Sequence, residues 1–293
     1  TGKTTTKTLE VTDGISFPGQ SNLLVNGGFE IWQRGNGPFT VSAAYTADRW
    51  ITLLSGTGTL SVSKDTTNVD TGSSASSACT SANCDGTLTN TAWCGEHVEG
   101  GSIWAGQTWS FSVRVKTSVS GIYADLQYID SGVTVVNNYS LPHPGDSQWH
   151  TLTVTVTFPA TATDLYVYVN FRGNGIVYID NAMLVAGSVP STYSPLPIAE
   201  EWARCQRYYQ TVVATARWPA TGSSQNLDTP IYWQAFPTTI PTVSLAGGTA
   251  TNLAASFPQI HDIDQSGARF EIASAAAGDC YAISYHVTAE ANP

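Results

Sequence analysis

The chain has 293 residues, 42% of them hydrophobic and nine of them Trp, which is apolar surface enough for roughly two domains and too much for a disordered polymer. Only 12% are charged, the formal net charge is −10, and there is no basic tract, so nucleic-acid phosphates and anionic membrane surfaces are poor partners. No apolar run approaches the roughly 20 residues that span a bilayer, and membrane insertion is not expected.

The surface must be finished with Thr, Ser, Asn, Gln and Gly, a composition of β-rich extracellular or virion proteins rather than of helical cytosolic enzymes. Residues 1–20 alternate Thr with Lys, Leu and Val before the breaker "DGISFPG". They read as an attachment arm, too short and too polar to fold alone, and lack the apolar centre of a secretion signal. Residues 21–187 read as all β. "LSVSK", "WSFSVRVKT", "GIYADLQYID", "TLTVTVTF", "DLYVYVNFR" and "IVYIDNAMLV" alternate with period two between Gly, Asp, Ser and Pro turns, the pattern of a β-sandwich or jelly roll.

Within that segment the Ser/Thr/Gly-rich stretch 65–92 is expected to be a long loop. Asp48 and Arg49 in "YTADRW" are expected to pair and organise a β corner. Cys79, Cys84, Cys94 and His97 have a spacing that could be read as a zinc knuckle, but it fits no common zinc module. Free thiols or a small Cys79–Cys84 loop are the alternatives.

Three prolines in 188–197 mark a linker, followed by a helix over "IAEEWARCQRYYQ". Ile198, Trp202, Cys205 and Tyr209 fall on one helical face, and Glu200 and Glu201 sit at the positive N-terminal end. The linker and helix, 188–210, lead into a second small β domain, 211–293, with strands expected in "IYWQAF", "TVSLAG", "ARFEIAS" and "CYAISYHVTAE". The expected fold class is therefore all-β: a jelly-roll sandwich, a short helix and a second β domain.

The stretch "LYVYVNFR" (165–172) carries the candidate site. A strand sends alternate side chains to opposite faces, so Leu165, Val167, Val169 and Phe171 form a core face and Tyr166, Tyr168, Asn170 and Arg172 share the other. The run "IYADLQYID" offers a second row, Tyr123, Asp125 and Gln127. A sugar ring has apolar C–H faces and a rim of hydroxyls, so a site for it needs flat aromatic surface flanked by amide, carboxylate or guanidinium groups. If the two strands are neighbours, the rows make one platform, with Trp93 and Trp149 as further aromatics near loop ends. Cross-strand packing alone is the competing explanation for each tyrosine.

"NLLVNGGFEIWQRG" (22–35), "YTADRW" (45–50), "GGSIWAGQTWSFSVRVKT" (100–117), "YSPLPIAEEWARCQRYYQ" (193–210) and "FEIASAAAGDCYAISYHVTAEA" (270–291), in this order, resemble bacteriophage tail-fibre and head-fibre proteins. Residues 21–187 are similar to the jelly-roll carbohydrate-binding modules attached to polysaccharide-degrading enzymes, which open on an N-G-x-F-E strand (here Asn26, Gly27, Phe29, Glu30) and close on an aromatic-Ile-Asp strand (Tyr178, Ile179, Asp180). The resemblance implies a virion fibre or spike that binds host-cell surface polysaccharide, contacts capsid or tail proteins through its N-terminal arm and forms a homotrimer. It also implies a structural Ca²⁺ held by Glu30 and Asp180, although Asn181 stands where a second acid often follows.

Two other function classes compete. A depolymerase needs two carboxyls roughly 5–9.5 Å apart, and Asp125, Glu96 and Glu99 are the acids near the proposed platform. No nucleophile elbow or phosphate-cradling loop is present, which favours binding without cleavage. A purely structural capsid or tail decoration is the third class.

Overall fold

The computed structural model describes residues 21–84 and 91–291, so the arm expected over 1–20 lies outside the described residues. The first part of the chain supplies β1 (Ala44–Tyr45), β2 (Ile51–Leu54), β3 (Thr59–Asp65), β4 (Ser76–Ala82), β5 (Ala92–Val98), β6 (Thr108–Thr117), β7 (Ile122–Asp130), β8 (Thr134–Val136), β9 (Trp149–Thr157), β10 (Ala162–Phe171) and β11 (Gly175–Ala186). They form two antiparallel sheets, a front sheet in the order β1-β2-β5-β10-β7-β8 and a back sheet in the order β3-β4-β11-β6-β9. The alternation read from sequence is what builds the core: Leu165, Val167, Val169 and Phe171 of β10 are fully buried, as are Phe111, Val113 and Val115 of β6 and Ile179 of β11.

After α1 (Ile198–Gln206), the one α-helix among the described residues, the chain forms β12 (Tyr209–Ala220), β13 (Asn226–Tyr232), β14 (Thr242–Thr251), β15 (Gln259–His261), β16 (Gly267–Ala273) and β17 (Gly278–Glu290). These make two three-stranded sheets, β12-β17-β14 and β13-β16-β15, around a core of their own that includes Phe270, Ile272, Cys280 and Val287. The fold is all-β, a jelly-roll sandwich followed by a short helix and a smaller β unit.

Several elements differ from expectation. The segment 65–92 is not one loop, because it contains β4, which pairs with both β3 and β11. Its residues, SSACTSA, are too small and polar to show hydrophobic periodicity, yet Cys79 points into the core. Residues 22–35 form no strand. Asn26 folds this stretch instead, its Nδ2 donating to Ile31 O (2.8 Å) and its Oδ1 accepting from Ile31 N (3.0 Å). Gly27 lies so close to the last strand that a Cβ there would stand 2.2 Å from Ala182 O.

The helix ends at Gln206, and its buried side chains are Glu201, Cys205 and Gln206, while Ile198 and Trp202 face solvent. Polar partners decide this. Asn26 N donates to Glu201 Oε1 (2.5 Å), and Arg204 Nη2 donates to Asn22 O (3.1 Å) and Leu23 O (3.3 Å). Cys205 joins Val25, Ile31 and Tyr208 in a small satellite core.

Asp48 and Arg49 do not pair with each other. Asp48 accepts from Gln33 and lies 3.8 Å from Arg34, whereas Arg49 turns to Glu96 (3.5 Å) and stacks over the Tyr208 ring (3.9 Å). All five cysteines are buried, and strand alternation puts Cys94 inside and His97 outside, which dismantles the zinc-knuckle spacing.

Candidate functional site

β7 and β10 are direct neighbours, and β5 flanks β10 on its other side. The register sets Gln127 opposite Tyr166, Asp125 opposite Tyr168 and Tyr123 opposite Asn170. On the β5 side His97, Gly95 and Trp93 face the same three residues. The two rows expected from sequence therefore share one face, and a third row from β5 completes it.

The aromatics on this face lie against one another. His97 and Tyr166 stack at 4.4 Å between centroids and 18°, and Tyr166 and Tyr168 stack at 5.9 Å and 7°. Gly95 makes this possible, because a Cβ there would fall 2.2 Å from the Tyr168 ring; the ring rests on the bare backbone of β5. Leu53 and Trp93 on one side, Gln127, Asn137 and Tyr139 on the other, and Tyr168 between them enclose a cleft of about 210 Å³.

The face is not the open platform that alternation alone suggests. Tyr168 is only 6% exposed, Asn170 1% and Asp125 0%. The cover is the segment after β8, which runs along β7: Asn138 O accepts from Leu126 N (2.9 Å), Ser140 N donates to Ala124 O (2.9 Å) and His143 N donates to Ile122 O (2.8 Å). It carries Tyr139 over the buried polar groups. Arg172 lies 4.5 Å from the Tyr139 ring centroid and 4.9 Å from that of Tyr123, held between the two rings. Tyr139, Asn137 and Leu53 were not foreseen, and no periodic signal marks Tyr139, which sits outside any strand.

Electrostatics on this face follow from burial. Burial pushes the Asp125 carboxyl up to about 7, against the N–H of Asn138 (3.0 Å) and the charge of Arg172. Burial also raises the Tyr168 phenol and lowers the His97 imidazole, the latter opposed by Asp164 at 3.6 Å. Asp125 Oδ2 and Asn170 Oδ1 are buried and have no hydrogen-bond partner.

Trp149 begins β9, at the edge of the back sheet, away from these rows. Glu96 and Glu99 also lie away from the cleft. Glu96 is turned inward, accepting from Val25 N with both oxygens (3.2 Å each), and Glu99 reaches Arg207 (3.2 Å) and Tyr208 (2.5 Å). Asp164 is four residues along β10 from the partner of Asp125, roughly 13 Å at strand rise, too far for a hydrolytic carboxyl pair.

Glu30 and Asp180 both reach the segment preceding β4. Asp180 Oδ2 accepts from Asp70 N (2.9 Å), its Oδ1 accepts from Ser73 Oγ (3.0 Å) and Asn181 N (2.7 Å), and Glu30 Oε1 accepts from Ser74 Oγ (2.8 Å). Lys64 Nζ donates to Glu30 O (2.7 Å). Glu30 and Asp180 thus meet N–H, O–H and ammonium donors from this segment, Asn181 and Lys64, and the Ser73 and Ser74 hydroxyls lie beside their carboxylates.

A larger hollow, about 420 Å³, lies on the back sheet between Ser112, Arg114, Thr151, Thr153 and Tyr193. Its guanidinium is engaged bidentately by Asp70 (2.7 and 3.1 Å), and it has no stacked aromatic pair. The front cleft is the better candidate despite its smaller volume, because stacked rings and planar amides converge there.

No protein-family model matches the chain, and no curated protein does. Among solved structures it is similar to the C-terminal family 22 carbohydrate-binding module of Clostridium thermocellum Xyn10B, at 22% identity over 55% of this chain and 100% of that one, with a TM-score of 0.40. It is similar to the enzymatically active domain of tailspike protein 4 of bacteriophage CBA120, at 16% identity over 57% of this chain and 21% of that one, TM-score 0.39. A cyclase from Fischerella sp. TAU is matched at 12% identity over 59% of this chain and 100% of that one, TM-score 0.42. A binding module, a viral enzyme domain and a cyclase are thus alike in shape to part of this chain, and the likeness is one of shape alone.

Proposed function

We propose that the front-sheet cleft binds a carbohydrate chain without cleaving it, and that the protein is a virion fibre or spike which uses this cleft to adsorb to host surface polysaccharide. The observation that carries the reading is the flat Tyr168 ring laid on Gly95 and stacked on Tyr166, walled by Trp93 on one side and by Gln127 and Asn137 on the other. Gln127 Nε2 donates to Asn137 Oδ1 (2.6 Å), which fixes both amides at the rim where sugar hydroxyls would meet them. A lone carboxylate near the floor, with no second acid in reach among the described residues, favours holding over hydrolysis.

A homotrimer belongs to the same reading, since several weak sugar sites on one particle gain strength through effective concentration. Exposed Tyr232, Phe236 and Ile240 offer apolar surface for such contacts. A light-scattering mass of one chain would remove the trimer from the proposal without touching the cleft.

The test is a glycan array with the intact chain, repeated with Tyr168→Ala and Trp93→Ala. Each truncation removes an aromatic wall or floor and is expected to cost about 2 kcal/mol of binding, roughly thirtyfold in Kd. Adsorption to host cells should fall in parallel while the circular dichroism spectrum is kept. Binding that survives both substitutions would rule out this cleft, and released reducing ends would move the protein to the enzymes.

A further inference from the structure

Resting on the reading of the cleft as a carbohydrate site, the polar groups beneath it bear on which sugars fit. We propose that Asp125 and Asn170 select an uncharged, hydroxyl-rich sugar and exclude uronic and other acidic sugars.

Asp125 is 0% exposed and Asn170 1% exposed, and each has an oxygen with no partner in the protein. The two stand diagonally on adjoining strands, two register positions apart, on the face that carries the cleft. Unpartnered buried polar atoms are uncommon and costly in folded proteins, so two together beneath a cleft mark a place for a partner from outside. Tyr139 is the covering group. Its backbone bridges to Asp125, it is 39% exposed, and its ring meets Arg172 and, edge-on, the Tyr123 ring at 6.0 Å.

The chemistry of the missing partner follows from the groups that lack one. An ionised Asp125 accepts only, while the Asn170 amide presents an acceptor or a donor according to how it is turned. A hydroxyl both donates and accepts, so a sugar bearing neighbouring hydroxyls can serve both positions. A carboxylate, sulfate or phosphate on the sugar cannot donate to Asp125 and would meet its charge. Arg172, the cation at this end, is already flanked by two rings and faces Asp125, while at the other end His97 faces Asp164. With His97 neutral and Asp125 ionised, these charged groups sum to −1 (Asp125 and Asp164 against Arg172), the same sign as the chain's net charge of −10, of which they are part.

The titration of Asp125 supplies a signature. The groups facing it are Tyr168 and Arg172 from β10 and its end, and Tyr139 from the segment after β8. A hydroxyl donating to Oδ2 favours the charged carboxylate, so the ligand prefers the deprotonated protein. Affinity should therefore rise as the pH passes upward through about 7.

Calorimetry on the intact chain would test this with xylohexaose, cellohexaose and mannohexaose as neutral probes and hexagalacturonate as the acidic one, at pH 6 and pH 8. At least one neutral probe is expected to bind on the order of tenfold more tightly than hexagalacturonate. Its affinity should increase roughly fivefold from pH 6 to pH 8, as a fall of about one pKa unit on binding requires. Asp125→Asn should abolish that increase, and Asn170→Leu should weaken binding on the order of tenfold. Hexagalacturonate binding as tightly as the neutral probes, or a flat pH profile in the unaltered chain, overturns the proposal while leaving the cleft reading intact. Binding of a neutral probe that survives Tyr168→Ala, or no binding by any probe, overturns both. The profile of the unaltered chain keeps the test decisive if a variant fails to fold.

Discussion

Replacing Arg49 by Met is expected to lower the unfolding free energy by about 3–5 kcal/mol at pH 8 and by distinctly less at pH 5. Arg49 is 1% exposed, lies 3.5 Å from Glu96, stacks 3.9 Å over Tyr208 and donates to His97 O. Without it the Glu96 carboxylate is a buried charge whose remaining donor is Val25 N. Burial already pushes Glu96 up to about 7, with Arg49 working against that rise. Without Arg49 the carboxyl rises further, so at pH 5 it simply carries its proton, whereas at pH 8 it must either hold a buried charge or take a proton against the solution. Met keeps the alkyl volume and tolerates the left-handed backbone at φ 73° no worse than Arg does, so the charge is what changes. Urea unfolding at the two pH values is the measurement, and adding Glu96→Gln should recover most of the loss at pH 8. Equal losses at both pH values would refute the role given to the pair.

The same linkage sets the slope for the unaltered protein. Glu96, Asp125 and Asp180 are each pushed up to about 7 by burial. A raised folded-state pKa means the native protein binds more protons than the unfolded chain between about 4 and 7, so stability present in acid is lost as pH rises through about 7. Each of these groups therefore acts in the direction of greater stability at pH 5 than at pH 8.

Gly95→Ala should cost about 1–3 kcal/mol of stability and remove saccharide binding together. The new Cβ would lie 2.1 Å from Val167 O and 2.2 Å from the Tyr168 ring, so either β5 and β10 part or the ring leaves the cleft floor. Tyr168→Ala leaves room for that methyl, so in the double variant the ring's share of the clash disappears while the contact with Val167 O stays. Part of the stability lost to Gly95→Ala should return in that background, with no return of binding. Thermal unfolding and the same calorimetry read both. A Gly95→Ala protein with unchanged melting temperature and affinity would show that Tyr168 does not rest on this backbone.

The placement of the candidate rows was legible where period-two alternation combined large apolar and large planar residues. β10 and β7 announced both their faces, and direct pairing brought Tyr166, Tyr168 and Asn170 to Gln127, Asp125 and Tyr123. β4 was illegible because Ser, Ala and Cys bury without looking hydrophobic. The helix was placed but its inward face was misread, since Glu201 has Asn26 N as a partner and Arg204 ties the helix to Asn22 and Leu23, whereas Trp202 faces no such partner surface. Tyr139 could not be found from its own neighbours. Its position depends on backbone pairing with β7 across more than ten residues of chain.

β5 serves two masters. Trp93, Gly95 and His97 look onto the cleft, while Glu96, between them, looks the other way to Arg49, which in turn leans on Tyr208 just ahead of β12. This seven-residue strand is thus one link between the cleft and the second β unit, beside Gln33, which reaches Tyr209 O (2.8 Å), and Arg34, which reaches Glu290 (2.8 Å). That strand is hydrogen-bonded along both sides, to β2 and to β10, so a pull along its axis loads many bonds at once in shear instead of peeling them singly.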